Sequence, residues 1–442
     1  MAFADELLTH SDASIAIIDR RPAPGGHWLD AYPFVRLHQP STFYGVTSVP
    51  LGEDRIDETG TNAGFYELAG PAEIRAYYQR VMQSHFLPTG RVRYFPNSDY
   101  VGEGRFVSQT DRTEFHVSIR RKLVDTTYME GTIPATSPAP FEVGEGVRCV
   151  PVGEITHSDQ RAKRYVIIGG GKTALDACVW LIEEGIPASA ICWIKPREAW
   201  WINRKFQQPH TLLPEFYRGV AIQLEAMAVA NSMDDVFARL EAEKVFLRVD
   251  SGVAPSMFRG AIVSESELEL LRRITNVVRM GHVRRLERDV IILDRGRVPT
   301  DAKTLHVHCA AHALSRPARR PIFEPQRVTN QPFQWGFACY QAAMLAVIEA
   351  TIESDEEKNR LCPPLHFWDE NQDYLSSFLA SMVGEAARSA HPTVVAWSKT
   401  TRLNPGNGIS AYREEPAVKE TRERIKQSVF PAAANLQKLL SR

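Results

Sequence analysis

Apolar and polar positions change their period several times along the chain, and each change marks an element. Phe3, Leu7 and Leu8 have the spacing of the last turns of a helix, and residues 9–13 read as a loop. Residues 14–19 follow as a short apolar run that ends in an acid, the pattern of a strand. Within 65–86, Ile74, Tyr77, Tyr78 and Val81 recur at helical spacing, with Pro71 near the predicted start. Residues 92–94, 105–107 and 114–124 alternate like strands of one antiparallel sheet. Residues 132–150 are rich in proline and predict a crossover. Residues 165–168 form a β-branched run, 190–194 a second strand, and Leu175, Cys178, Val179 and Ile182 between them repeat at helical spacing. Residues 232–247 and 264–278 each open on a serine with acids in the next turn, which predicts helices. Residues 284–294 read as a strand leading into a turn at 294–296, and 304–310 as another strand. Residues 335–352 read as a strongly apolar helix and 353–442 as mainly helical.

A chain of 442 residues is long enough for two to three domains. With 52 Lys+Arg against 53 Asp+Glu, the formal charge of −1 excludes a chain-wide basic footprint for nucleic acid or anionic membrane. No apolar run approaches the roughly 18 residues of a membrane span. The first residues lack the basic and apolar regions of a signal peptide, so a soluble, cytoplasmic protein is expected. Six cysteines are scattered without C-x-x-C spacing, which indicates neither a zinc ribbon nor a redox dithiol. A small-molecule substrate is the expected partner, with neither nucleic acid nor membrane; the oligomeric state stays open.

The clearest chemistry lies at Gly169-Gly170-Gly171-Lys172-Thr173-Ala174, a G-x-G-x-x-A loop between a strand and a helix. Gly169 permits the tight turn, Gly171 lets a diphosphate approach the backbone, and Ala174 lets helix and strand pack closely. The helix N-terminus offers N–H groups and a positive dipole end to phosphates, with Lys172 and Thr173 in its first turn. The second strand runs into Lys195-Pro196-Arg197, with Arg204 further on and no acid before Glu198. Cations there suit the 2′-phosphate of NADP, whereas an acid would suit NAD. NADP is therefore expected, with Lys195 and Arg197 as its selectors.

Asp19 ends the first strand, and Arg20-Arg21-Pro22-Ala23-Pro24-Gly25-Gly26-His27-Trp28 follows. Helix, strand and terminal acid form the second half of a dinucleotide unit, with the acid placed for a ribose. Together with Tyr32-Pro33 and Arg36-Leu37-His38-Gln39-Pro40-Ser41, this stretch resembles the flavin-containing monooxygenases and related flavoproteins with two dinucleotide domains. The glycine loop at 169 is similar to their inserted NADPH domain. The resemblance implies FAD as well as NADP. It places Asp19 on the FAD ribose, Arg20, Gly25, Gly26 and Trp28 along the FAD, and His38, Gln39 and Ser41 near the isoalloxazine ring. It also places Gly169, Gly171, Lys172 and Thr173 at the NADPH diphosphate.

Three features depart from that family. No glycine loop precedes residue 15, the F-x-G-x-x-x-H-x-x-x-[YF] fingerprint is missing between the nucleotide motifs, and no Ala-Thr-Gly strand end is recognisable. One reading puts the true start about 15–25 residues upstream, which would restore the loop. The other is a flavin-free, NADP-binding redox sensor or interaction protein.

The expected fold is α/β: two Rossmann-like, three-layer dinucleotide-binding domains, the second inserted in the first, plus a mainly helical C-terminal region. Residues 1–150 form the first part of the FAD domain, 151–303 the NAD(P)H domain, 304–352 the return segment and 353–442 the helical region. The expected function is an FAD-dependent, NAD(P)H-using oxidoreductase, monooxygenase-like, with no catalytic acid or base singled out. His306, His308 and His312 cluster, yet no acid or cysteine completes a metal set, so structural roles are expected. Cys309 and Cys339 are read as core cysteines and Asp176 as structural. Trp200 and Trp201 are read equally as nicotinamide-stacking residues or as packing between domains.

Overall fold

The computed structural model describes residues 1–157, 161–311 and 315–441. Arg164–Ile168 is buried at every position after its first, as a strand in the middle of a parallel sheet must be. Ile191–Ile194 flanks it on one side and Thr304–His308 on the other. Val277–Val278 and Cys149–Pro151 complete a five-stranded, all-parallel sheet. The helix Lys172–Glu183 turns Ala174, Leu175, Cys178 and Leu181 onto this sheet, where they join Tyr165, Ile167, Trp193 and Val307 in one core.

The position of Thr304–His308 corrects the sequence reading, which closes the second domain at 303 and sends this strand back to the first. Every residue of the strand is buried, and it pairs with Arg164–Ile168 and Cys149–Pro151. Thr304-Leu305-His306-Val307-His308 carries no local mark of the sheet it joins, because burial on both faces of a parallel strand is set by distant neighbours, so pattern alone could not place it. The chain re-enters the first unit later, where Arg327–Thr329 pairs parallel with Leu123–Asp125 and Ala338–Thr351 packs along Ala2–His10.

The first unit is built in small pieces. Ile15–Ile18 pairs parallel with Val92–Phe95, so residues 92–95 do not belong to an antiparallel sheet as expected. That sheet consists of Ser98–Gly102, Arg105–Ser108 and Glu114–His116. The run expected over 114–124 divides into Glu114–His116 and Leu123–Asp125, which enter different sheets. The expected helix over 65–86 forms as Pro71–Val81, with proline in its first turn, and continues as a π-helical turn at Met82–Phe86.

Helix starts in the second unit follow their caps. Ser232 accepts a bond from the Asp235 N–H ahead of Met233–Ala242, and Ser264 and Glu267 form a capping box on Glu265–Arg272. Residues 284–294 make a hairpin, Val283–Leu286 with Val290–Leu293, rather than one strand. Ala199–Asn203 is buried throughout and separates two cores: Trp201 enters the core of the parallel sheet, while Trp200 packs on the other side and stacks on Phe237 at 5.5 Å. Both tryptophans are therefore core residues, packed within the cores on either side of their strand rather than between the two units.

The C-terminal region contains the helices Asp355–Leu361, Asn371–Ser389, Pro392–Ser398 and Pro416–Leu440. The last packs along Leu213–Val229, where Arg424 grips Glu225 through two 2.7 Å bonds. Among the described residues, no helix is long and apolar enough to cross a membrane.

Candidate functional site

The glycine loop has the shape its sequence requires. Gly169 has φ +149°, and a Cβ there would lie 3.2 Å from both Cβ and O of Cys309, so strand and loop touch at this residue. A Cβ on Gly170 would meet the Arg197 carbonyl at 2.9 Å, which shows that the turn after Ile191–Ile194 lies directly against the loop. A Cβ on Gly171 would meet nothing within 4 Å. Gly171 is also the N-cap of Lys172–Glu183, so open space faces the first turn of that helix. Gly169→Ala should cost about 2–4 kcal/mol from backbone strain and overpacking together. Chemical denaturation would detect this as a lower midpoint with an unchanged slope.

Lys172 does not point into that space. Its ammonium is bonded to Asp176 and lies 3.1 Å from Glu267. Arg204 reaches the second Glu267 oxygen at 2.7 Å, and the Ser264 N–H donates to the same oxygen at 2.7 Å. Burial alone would raise the Glu267 pKa, but the Lys172 and Arg204 cations outweigh it and hold it at about 2. The Tyr32 hydroxyl donates to Asp176 at 2.6 Å, and Phe34 stacks on Trp180 at 5.0 Å, so the two units meet along this helix. The sequence reading assigns Asp176 a structural role; its bonds to Lys172 and Tyr32 are of that kind.

A cavity of about 330 Å³ lies where the units meet. Trp28, Tyr32, His38, Gln39, Phe43 and Tyr44 line it from the first unit, Thr173 from the glycine-loop helix, and Ala338 and Cys339 from the start of Ala338–Thr351. The Trp28 indole donates to the Tyr44 hydroxyl at 2.6 Å, which fixes both rings in the wall. Burial, reinforced by repulsion from Lys172 and Arg204, pushes the His38 pKa down to about 3, so its imidazole is neutral over the physiological range. Arg402, from the C-terminal region, holds the wall from behind. It donates to the carbonyls of Thr42 (2.6 Å), Tyr44 (2.8 Å), Val46 (2.5 Å) and Val49 (2.9 Å).

Other expected residues lie elsewhere. Gly25 and Gly26 take φ +132° and +58° in the turn that presents Trp28. Asp19 sits at the end of its strand and accepts the Arg21 N–H at 3.0 Å; burial raises its pKa. Nearby, the buried Tyr94 hydroxyl has no hydrogen-bond partner. Arg20 faces outward to Glu130 at 3.3 Å. Ser41 does not line the cavity: its hydroxyl donates to the Glu67 carbonyl (3.1 Å) and accepts the Ala69 N–H (2.9 Å), tying a loop. His306 contacts Thr300 at 2.9 Å and the Arg148 carbonyl at 3.0 Å, while His308 is buried against Phe141. His312 lies outside the described residues. Cys309 is core, whereas Cys339 is half-buried and lines the cavity.

The expected selectors of NADP need correction. Lys195 is wholly buried; it is bonded to Glu198 at 2.5 Å and lies 4.4 Å above the Trp193 ring. Arg197 is bonded to Asp369 at 2.6 Å and Arg204 to Glu267. Their partners come from 3 to about 170 residues away in the chain, and strand-end composition gives no hint of Asp369. Glu267 is legible in the sequence only as one of the acids in the turn after Ser264, and nothing there singles out Tyr32 as a partner for Asp176.

No family model matches the chain. It is 43% identical over 406 residues to a protein of Mycobacterium tuberculosis strain H37Rv described as uncharacterized protein Rv2000, covering 91% of this chain and 75% of that one. Mycobacterium bovis uncharacterized protein Mb2023 matches to the same extent. The chain belongs to the family of these mycobacterial proteins. Among solved structures, it is similar to a bacillithiol disulfide reductase from Bacillus cereus (12% identity, TM-score 0.45, 80% of this chain and 95% of that one). It is also similar to a flavin-containing monooxygenase from Stenotrophomonas maltophilia (14%, 0.40, 79% and 93%). Both are distant likenesses.

Proposed function

We propose that the protein is an oxidoreductase that uses a flavin and a nicotinamide dinucleotide to act on a small molecule, with dioxygen or another acceptor taking the electrons. One observation carries this reading. The N-terminal turn of the glycine-loop helix, through Thr173, opens on the same cavity as Trp28, His38 and Gln39, which follow the acid-ended first strand. A ligand on the loop and a ligand beside the first strand would therefore meet in one enclosed space. A bound flavin would supply a two-electron carrier between the nicotinamide and the acceptor.

The residues present fit both ligands in part. Asp19 and the unpartnered Tyr94 hydroxyl suit a ribose, and the cavity suits a planar ring. On the second unit, the space at Gly171 and the helix N-terminus suit a diphosphate. The neutral His38 ring can donate or accept one hydrogen bond to a bound ring, and Trp28, Phe43 and Tyr44 keep water from that contact.

Adding FAD to the purified protein and recording the visible spectrum before and after anaerobic addition of reduced dinucleotide tests the reading. Retention of a yellow flavin that bleaches is the expected result. A protein that takes up no flavin yet binds dinucleotide would support the second reading, a flavin-free redox sensor. Gly171→Ala separates binding from folding. Its Cβ meets no protein atom, so stability should change by less than about 1 kcal/mol. Dinucleotide affinity, read by titration calorimetry, should fall because the methyl group would occupy the space proposed for the diphosphate.

A further inference from the structure

Beyond the Ile191–Ile194 strand, two guanidinium groups converge on one carboxylate oxygen. Arg197 reaches Asp369 Oδ1 at 2.6 Å, and Arg259 reaches the same atom at 2.8 and 2.7 Å. Arg197 follows the strand whose parallel neighbour leads into the glycine loop, and its own carbonyl lies against Gly170. Arg259 comes from Met257–Val263, and Asp369 from the segment before Asn371–Ser389. Asp369 is held in place through its backbone: its carbonyl accepts the Phe258 N–H at 3.1 Å, and its N–H donates to Asp373 at 2.8 Å. Burial would raise its pKa, but the two arginines outweigh that effect and keep the carboxyl below its usual range.

From this arrangement we propose that Asp369 makes the site selective for NAD(H) over NADP(H). The inference rests on the reading of the glycine loop as a dinucleotide site. A carboxylate beyond the second strand accepts hydrogen bonds from the ribose hydroxyls of NAD; in this protein the strand end lacks one and the C-terminal region supplies it. A 2′-phosphate would need the point where Arg197 and Arg259 converge, and Asp369 Oδ1 already fills that point. Entry would place two anions side by side or break three charged hydrogen bonds. The nearby cations cannot substitute. Lys195 is buried on Glu198, Arg279 is shared between Glu198 and Asp250, and Arg204 is bonded to Glu267.

Titration calorimetry with NAD+ and with NADP+ tests this on the full chain, independently of turnover. Wild type should bind NAD+ more tightly by about tenfold or more, because like-charge juxtaposition is costly. Asp369→Asn should weaken NAD+ binding and strengthen NADP+ binding, which narrows or reverses the ratio. Asp369→Ser should act in the same direction, and circular dichroism checks that each variant is folded. Tighter NADP+ binding by wild type, or an unchanged ratio in both folded variants, overturns the proposal. If wild type binds neither dinucleotide, the loop reading itself falls and takes this inference with it.

Discussion

Replacing Arg402 with methionine should lower stability by about 3 kcal/mol or more. One guanidinium donates to four carbonyls of the 42–49 loop, and a hydrogen bond from a charged donor is worth about 1.5–3 kcal/mol. The bonds share one side chain and do not add, and methionine retains part of the packing of the arginine stem. The four acceptors would be left short of donors in a partly buried loop, which is the costly outcome. That loop carries Phe43 and Tyr44, so ligand affinity of the cavity should fall along with the melting temperature. A fall of roughly 5–10 °C in thermal unfolding is expected. An unchanged melting temperature would mean that water replaces the guanidinium at little cost.

The second large effect belongs to Glu267. Its carboxylate faces Lys172, Arg204 and the Ser264 N–H inside the protein, and Glu267→Gln would leave two buried cations without their shared anion. Breaking such a set costs about 3–5 kcal/mol, because Arg204 stays buried without an anion while Lys172 keeps only Asp176. Acid gives the same test without mutation. The folded pKa of Glu267 is about 2 against an ordinary 4.5, so the folded protein binds the proton less readily than the unfolded chain. Its contribution, roughly 3 kcal/mol by linkage, is complete above pH 4.5 and is lost as the pH falls toward 2. Denaturant midpoints measured between pH 5 and 2.5 should fall more steeply for wild type than for Glu267→Gln. Parallel curves would show that other carboxyl groups control acid unfolding.

The elements that were legible are those whose signals are local. The glycine loop, its flanking strands and the helix between them follow from short-range pattern, because β-branched burial and N-terminal turn geometry are set within about 30 residues. The same holds for the capped helices at 233–242 and 265–272. Partnership across the chain was not legible. The pattern marks 304–310 as a strand but assigns it to the first unit, and it reads Lys195 and Arg197 as ligand-facing cations. A basic side chain at a strand end reads the same whether it meets a phosphate or a carboxylate 172 residues downstream, as Arg197 does. Ser41 illustrates the same limit on a smaller scale: its neighbours His38 and Gln39 face the cavity, while it closes a backbone tie to Glu67 and Ala69.

The placement of Thr304–His308 between Arg164–Ile168 and Cys149–Pro151 also affects how the chain is made. On the ribosome, the two outer partners emerge long before the strand that joins them. At about 5–20 residues per second, the gap between residues 168 and 304 lasts roughly 7–27 s. During that interval the edges of Tyr165–Ile168 and Cys149–Pro151 are exposed to other nascent chains. This window makes slow synthesis or overexpression the condition under which misassembly and chaperone dependence should be greatest.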